Sequence, residues 1–255
     1  VATVVVAAGL ALAVPAAAAE MTRAADGHPD LSGVWQALDT ANWDLEDHSA
    51  RAGTLWQSGA IGAEPAGQGV VEGGAIPYLP AALEHKEANF ADRRSSDPEA
   101  KCYLPGIPRA NYLPYPFQIV HSPRGILFVY EFASANRLVN MGKPMAPAAD
   151  SWMGTNNGHW EGDTLVIDVT GLNGLAWLDR AGDFASERLH VIERFTRIDR
   201  DHLRYEATLE DPSVFSRSWK ISMPLYRRVE ANARILEFKC VEFAEQLLYG
   251  DYRKK

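Results

Sequence analysis

From Pro116 onward the chain breaks into short runs of alternating apolar and polar residues separated by turn signals. That rhythm restricts the fold more than any other feature. "PFQIVHSPRGILFVYEF" holds two apolar runs around Ser-Pro-Arg-Gly, a hairpin signal. "NRLVNM" is a further short strand. In "GHWEGDTLVIDVTGL" the turn is Glu161-Gly162-Asp163, after which Leu165, Ile167 and Val169 alternate with polar residues. One buried and one exposed face would produce that alternation. "SERLHVIERFTRIDRDHLRYEATLEDPSVF" reads as two strands and a turn. "SWKISMPLYRRV" and "ARILEFKCVEF" read as two more strands, and "EFAEQLLYG" as a closing helical turn. Seven or more antiparallel strands at this spacing predict a mainly β fold. The expected architecture is an antiparallel β-barrel or sandwich, lipocalin/calycin-like, with one or two short helices.

Upstream the texture is different. "DGHPDLSGVWQAL" is loop-like and ends in the apolar pair Val34-Trp35, and residues 50–78 are rich in Gly and Ala without a sustained period. "LPAALEHKEANFADRRSSDPE" is the helix candidate, with Pro80 suited to a first turn. The predicted organisation is an irregular segment with a short helix over 20–97, packed with an antiparallel β domain over 98–255 as one globular unit.

Residues 1–19 read as a signal peptide. An apolar run leads to Ala17-Ala18-Ala19, a small-residue cleavage pattern before Glu20. The alternative, a membrane anchor, fits less well, because the run is short, alanine-rich and broken by Pro15. No later segment is long and apolar enough to span a bilayer. The expectation is a periplasmic or extracellular protein without a membrane span after signal removal. An oxidising compartment favours joining the two cysteines, Cys102 and Cys240, in a disulfide. A free nucleophilic thiol or a pair of metal ligands are the alternatives, but neither cysteine has a CxxC or CxxH partner.

The net charge of −8 argues against nucleic acid and against anionic lipid as partners. Nothing in the sequence sets an oligomeric state. There is no Gly-rich phosphate loop, no GxSxG elbow and no HExxH, and the histidines are not paired at i, i+2 or i, i+4. No cofactor and no metal are therefore expected.

The candidate chemistry lies in the hairpin. With the turn inside Asp199-Arg200-Asp201-His202, Ile198 pairs with Leu203 and Thr196 with Tyr205. Continuing, Arg194 faces Ala207, Ile192 faces Leu209 and His190 faces Asp211. Leu203, Tyr205, Ala207 and Leu209 form the buried set, so this register carries His190 and Arg194 inward and Glu193 outward. His190 becomes a proton-transfer candidate oriented by Asp211, and Arg194 a stabiliser of negative charge. The competing reading is a hydrogen-bonded core histidine and a structurally paired arginine. Tyr112, Tyr115 and His121 in "NYLPYPFQIVH", together with Trp177 and Tyr205, are candidate ligand contacts. Asn156, Asn157 and His159 are explained by turn chemistry, and Asp179 with Arg180 by a surface ion pair.

"DPEAKCYLPGIPR", "PFQIV", "WMGTNNGHWEGDTLVIDVTGLN", "LHVIERFTRID" and "YEATLEDPSVFSRSW" resemble, in order, blocks of a family of secreted bacterial proteins of unknown function. The shared blocks have the form Arg-Cys-Leu-Pro-x-Gly-x-Pro-Arg and Gly-x-Trp-Glu-Gly-Asp-Thr-Leu-Val. The resemblance covers roughly residues 98–245. It implies export and a shared fold, and it transfers no catalytic residue. Many relatives carry Cys-His-Glu-Gly-Asn near the C-terminus, where this chain has Cys240-Val241-Glu242-Phe243-Ala244.

Two functions fit these features. One is an exported, cofactor-free lyase, isomerase or hydrolase acting by acid/base chemistry on an apolar or aromatic small molecule in a β-barrel pocket. The other is a lipocalin-like carrier using the same pocket without catalysis. An acid/base pair beside the ligand separates them. An envelope interaction module is a third option, marked by an exposed apolar patch.

Overall fold

A computed structural model describes residues 22–53, 60, 62–122 and 125–249 of the chain. The expected signal peptide lies outside them. Nine strands form one sheet: β1 (Gly33–Ala37), β4 (Phe117–Ser122), β5 (Gly125–Tyr130), β6 (Asn136–Val139), β7 (Thr155–Glu161), β8 (Thr164–Thr170), β9 (His190–Arg197), β10 (His202–Glu210) and β11 (Trp219–Arg227). A separate two-stranded ladder joins β2 (Asp47–His48) to β3 (Gly67–Gln68). The helices are short: α1 (Pro80–Ala91), α2 (Arg93–Ser96) and α3 (Ala244–Tyr249).

The nine-stranded sheet curls into a nearly closed antiparallel barrel. β4 to β6 and β7 to β11 are each a meander, and β1 sits between β4 and β11. An odd number of strands cannot close with antiparallel pairs alone. The one parallel neighbour is the seam between β6 and β7, where Asn140 bridges Asn157. There the Asn140 N–H donates to Asn156 O, and the Gly158 N–H to Asn140 O. Gly158 permits the approach. A Cβ at this position would lie 2.4 Å from Val139 Cγ1 and 2.6 Å from Met141 Sδ.

The lumen is a packed core and not a pocket. Leu165, Ile167, Val169, Leu203, Tyr205, Ala207 and Leu209 are all fully buried. Phe195 meets Phe128 at 5.2 Å and Tyr205 at 4.9 Å between ring centroids. One ion pair crosses this apolar interior. Arg137 of β6 meets Glu193 of β9, and Tyr205 and Asn111 also donate to Glu193.

The hairpin register differs from the expected one by a single residue. Arg197 pairs with Leu203, Tyr205 with Phe195, Ala207 with Glu193 and Glu210 with His190. No bulge is involved, since pairing is one-to-one from His190 to Arg197. The connection itself is odd-numbered: 198–202 lie outside the paired register, and the Ile198 N–H donates to His202 O. Arg197 rather than Ile198 therefore points inward. Its guanidinium is satisfied by carbonyls of Asp30, Asp199 and Arg200, while Ile198 stays exposed. A one-residue slip inverts a whole strand. Val191, Glu193 and Phe195 are buried, and His190 and Arg194 are carried outward.

Two further expectations change. Residues 233–243 form no strand but run as an irregular tail. "GVWQA", expected as loop, is the strand that joins the two meanders.

The connections are unequal at the two ends. At one end β1 leads into residues 38–116, and 131–135, 171–189 and 211–218 lie beside them. At the other end the connections are tight turns at 162–163 and 198–201, covered by the N-terminal stretch. That stretch is fixed by Arg23 to Asp163, by Asp26 to His121, and by His28 stacked on Trp160.

Candidate functional site

Long connections gathered at one barrel end are where a scaffold of this kind carries binding groups. A cavity of about 540 Å³ lies there, within the usual size range of ligand pockets. Its walls come from Trp43, His48, Arg51 and Gly53 with Gly62, Ala63 and Glu64, from helices α1 and α2, and from the C-terminal tail over 238–244. The barrel rim contributes Tyr115, Phe132 and Arg180.

The tail belongs to the site because it is pinned. Cys102 and Cys240 form the expected disulfide, across 138 residues of sequence. Phe238 packs on Tyr115 and Phe132 with centroids 4.9 Å apart in each case. The Leu236 N–H donates to Glu131, and the Phe243 N–H to Ala100 O.

The floor is a charge network. Arg109 is fully buried and donates to both oxygens of Asp97 and to Glu99. Glu99 also receives Arg180, whose guanidinium lies over the Trp43 ring at 4.6 Å. Burial alone would raise the Glu99 carboxyl, but Arg109 and Arg180 outweigh it and hold it below the usual range. Phe90 is flanked by cations, with Arg93 at 4.1 Å and Arg51 at 5.2 Å from its centroid. Arg93 in turn pairs with Glu64.

Behind this wall, Asp44, Asp179 and Asp183 place carboxylate oxygens within 4.8 Å of one another. Asp179 accepts the backbone N–H groups of Leu45, Ala181 and Asp183. Asp183 accepts Tyr78 and lies 3.8 Å from the Lys86 ammonium. Burial, and then the neighbouring Asp183, push the Asp179 carboxyl well above the usual range, and burial raises Asp183 too. Backbone N–H groups at Asp179, Tyr78 and Lys86 at Asp183, and Arg51 at Asp44 already meet these carboxylates, so no cation is assigned to the cluster. Gly182 closes the loop against α1. At φ +86° it occupies the left-handed region, and a Cβ there would lie 2.8 Å from the Phe90 backbone nitrogen.

No protein-family model, curated protein or solved structure matches the chain.

His190, Asp211 and Arg194 do not converge. His190 is half-buried on the outer face, with Nε2 2.9 Å from Asp168 Oδ2 and Nδ1 3.4 Å from Glu210 Oε2. Asp211 is buried but organises a loop, accepting the N–H groups of Ser186 and Ser213. Arg194 pairs with Glu161 at the surface. Of the candidate ligand contacts, Tyr115 lines the cavity. Tyr112 is buried and donates to Leu178 O, Tyr205 lies in the lumen, His121 faces Asp26 at the opposite end, and Trp177 packs beside Phe184. Asp179 and Arg180 are not a surface pair. Asp179 is fully buried, and Arg180 bonds Glu99. Sequence reasoning passed over Arg51, Phe90, Arg93, Arg94 and Phe238. For Phe90, Arg93 and Arg94 the signal is the run Phe-Ala-Asp-Arg-Arg at the end of the predicted helix, and Arg51 and Phe238 have none.

Proposed function

We propose that this is a small-molecule binding protein whose ligand occupies the cavity at the capped end of the barrel. The observation that carries this reading is the cavity itself: about 540 Å³, walled by Trp43, Phe90, Tyr115, Phe132 and Phe238 and closed by a disulfide-held tail. Aromatic walls with a few convergent polar groups are the common composition of ligand sites.

Binding is favoured over catalysis by the state of the polar lining. Among the described residues, Asp97 and Glu99 are both engaged by arginine. The ring nitrogens of His48 face Ser49 O at 2.7 Å and Asp44 at 3.4 Å. A general acid or base needs a free atom facing the ligand, and these groups are already occupied. Action after export is part of the proposal. The disulfide supports it, and among the described residues no helix is long and apolar enough to cross a membrane.

The test is titration with the neutral fluorescent probe N-phenyl-1-naphthylamine. Saturable binding to wild type, lost in the cavity-filling variant Ala63→Trp while its thermal melt stays cooperative, is the expected result. Ala244→Trp, at an exposed part of the same wall, provides a second block if Ala63→Trp fails to fold. Binding that survives both substitutions overturns the assignment.

A further inference from the structure

The cavity lining is not electrically balanced. Arg51, Arg93, Arg94, Arg180 and Lys239 line it with Glu64, Asp97 and Glu99, and Arg51 also meets Asp44 behind the wall. Two of those carboxylates are also held by Arg109, which stands behind the wall. Among the described residues Arg94 has no ion pair or hydrogen bond. Lys239 meets only Glu237, and both of those side chains are about four-fifths exposed. Such a pair contributes little and leaves the ammonium available. A chain of net charge −8 thus concentrates spare positive charge at one concave, aromatic-walled place.

We infer that the ligand is an amphipathic acid, a molecule with an apolar or aromatic body and one anionic head such as a carboxylate or sulfonate. This rests on the proposed binding function and specifies its ligand class. The body packs on Phe90, Tyr115, Phe132 and Phe238. The head is received by Arg94 and Lys239, the lining cations whose charge is not already taken up by a buried or partly buried carboxylate. Arg93, Arg51 and Arg180 lie against aromatic rings and keep their existing partners, so they shape the wall and add a favourable field. A neutral ligand of the same shape would leave Arg94 with water and Lys239 with only its exposed Glu237, whereas an acid gains charge-assisted hydrogen bonds.

Two probes with nearly the same body separate this inference from the one it rests on. 8-Anilinonaphthalene-1-sulfonate carries an anionic head, and N-phenyl-1-naphthylamine lacks it. Wild type is expected to bind the sulfonate about tenfold more tightly, with added salt weakening the sulfonate and sparing the neutral probe. Arg94→Ala/Lys239→Ala should bring the two affinities together, weakening the sulfonate far more than the neutral probe. If the neutral probe binds in the cavity but the sulfonate binds no better, or if the double variant keeps the preference, the acid inference is overturned and the binding site stands. If neither probe is displaced from the cavity by Ala63→Trp or Ala244→Trp, the binding function falls with it.

Discussion

Glu193 Oε2 lies 2.5 Å from Arg137 Nη1 across the barrel lumen, joining β9 to β6 through an interior otherwise built from aromatic and aliphatic side chains. The two strands are not neighbours, since β7 and β8 lie between them. The pair therefore braces the barrel near its parallel seam. Asn156 accepts from Arg137, and Tyr205 and Asn111 donate to Glu193. Tyr130 donates to Asn111, extending the network.

Breaking one side of this pair should be costly. Glu193→Ala leaves the Arg137 charge buried without its partner, and a loss of about 3–5 kcal/mol is expected. Glu193→Leu/Arg137→Met removes both charges and should be less damaging than the sum of Glu193→Leu and Arg137→Met measured singly. Urea denaturation of the singles and the double measures the coupling. Strictly additive losses would show that the two side chains act independently.

The barrel was legible because Leu165, Ile167 and Val169 and the set from Leu203 to Leu209 alternate cleanly. A sheet with one buried face leaves that trace in any sequence. The face of β9 was not legible, because it depends on whether the Asp199 turn contains an even or odd number of unpaired residues. His190, Ile192, Arg194 and Thr196 give one mixed stripe, and Val191, Glu193, Phe195 and Arg197 give another. Each stripe holds charge and apolar surface, so local pattern cannot decide between them. Contacts from Arg137, Asn111 and Asp30, all distant in sequence, decide it. The cavity was hidden for a related reason. Its walls come from places as far apart in sequence as Trp43, Ala63, Phe90, Tyr115, Arg180 and Phe238, and no single window of sequence contains it.

Two buried carboxyls should give opposite pH signatures. Asp183 is raised by burial, so its folded form holds a proton that the unfolded chain has released above about pH 4. Its contribution is complete below that point and falls as pH rises through the folded value. Asp183→Asn removes the ionisation, so the variant should gain on wild type as pH increases from 4 to 8. Glu99 is held low by its arginines, so its contribution is present above about pH 4 and lost as pH falls through the folded value. Glu99→Gln should cost most at pH 7, and the gap should narrow on acidification. Thermal melts of the three proteins from about pH 2 to 8 test both signs. Parallel curves would contradict the assignments.

The Cys102–Cys240 bond holds the tail against the barrel end, and its loop of 138 residues encloses strands β4 to β11. Chain-entropy arguments for a loop this long give a loss of up to about 5 kcal/mol on removal. Cys102→Ala/Cys240→Ala should melt at a clearly lower temperature, and limited proteolysis should move to residues 236–243. Wild type in a strong reductant should behave like the double variant. An unchanged melt would mean that Phe238 and its neighbours hold the tail without the bond.

The last expectation concerns Phe238, which connects the tail to the cavity. Its ring contacts Tyr115 and Phe132, both on the barrel rim, and it is one of the few large apolar groups that the tail commits to the wall. Leu236 and Val241 beside it are exposed. Phe238→Ala removes the ring but leaves the disulfide to hold the backbone nearby, so global stability should fall modestly, by about 1 kcal/mol, because the site lies at the surface and water can enter the space left behind. The effect on binding should be larger. Aromatic side chains dominate interface energetics through the area they bury, and losing this wall should weaken N-phenyl-1-naphthylamine by about tenfold or more. Phe238→Leu should recover part of that loss, since it restores apolar area without the ring. Equal affinities for wild type, Phe238→Ala and Phe238→Leu, in proteins that melt alike, would place the bound probe away from the tail.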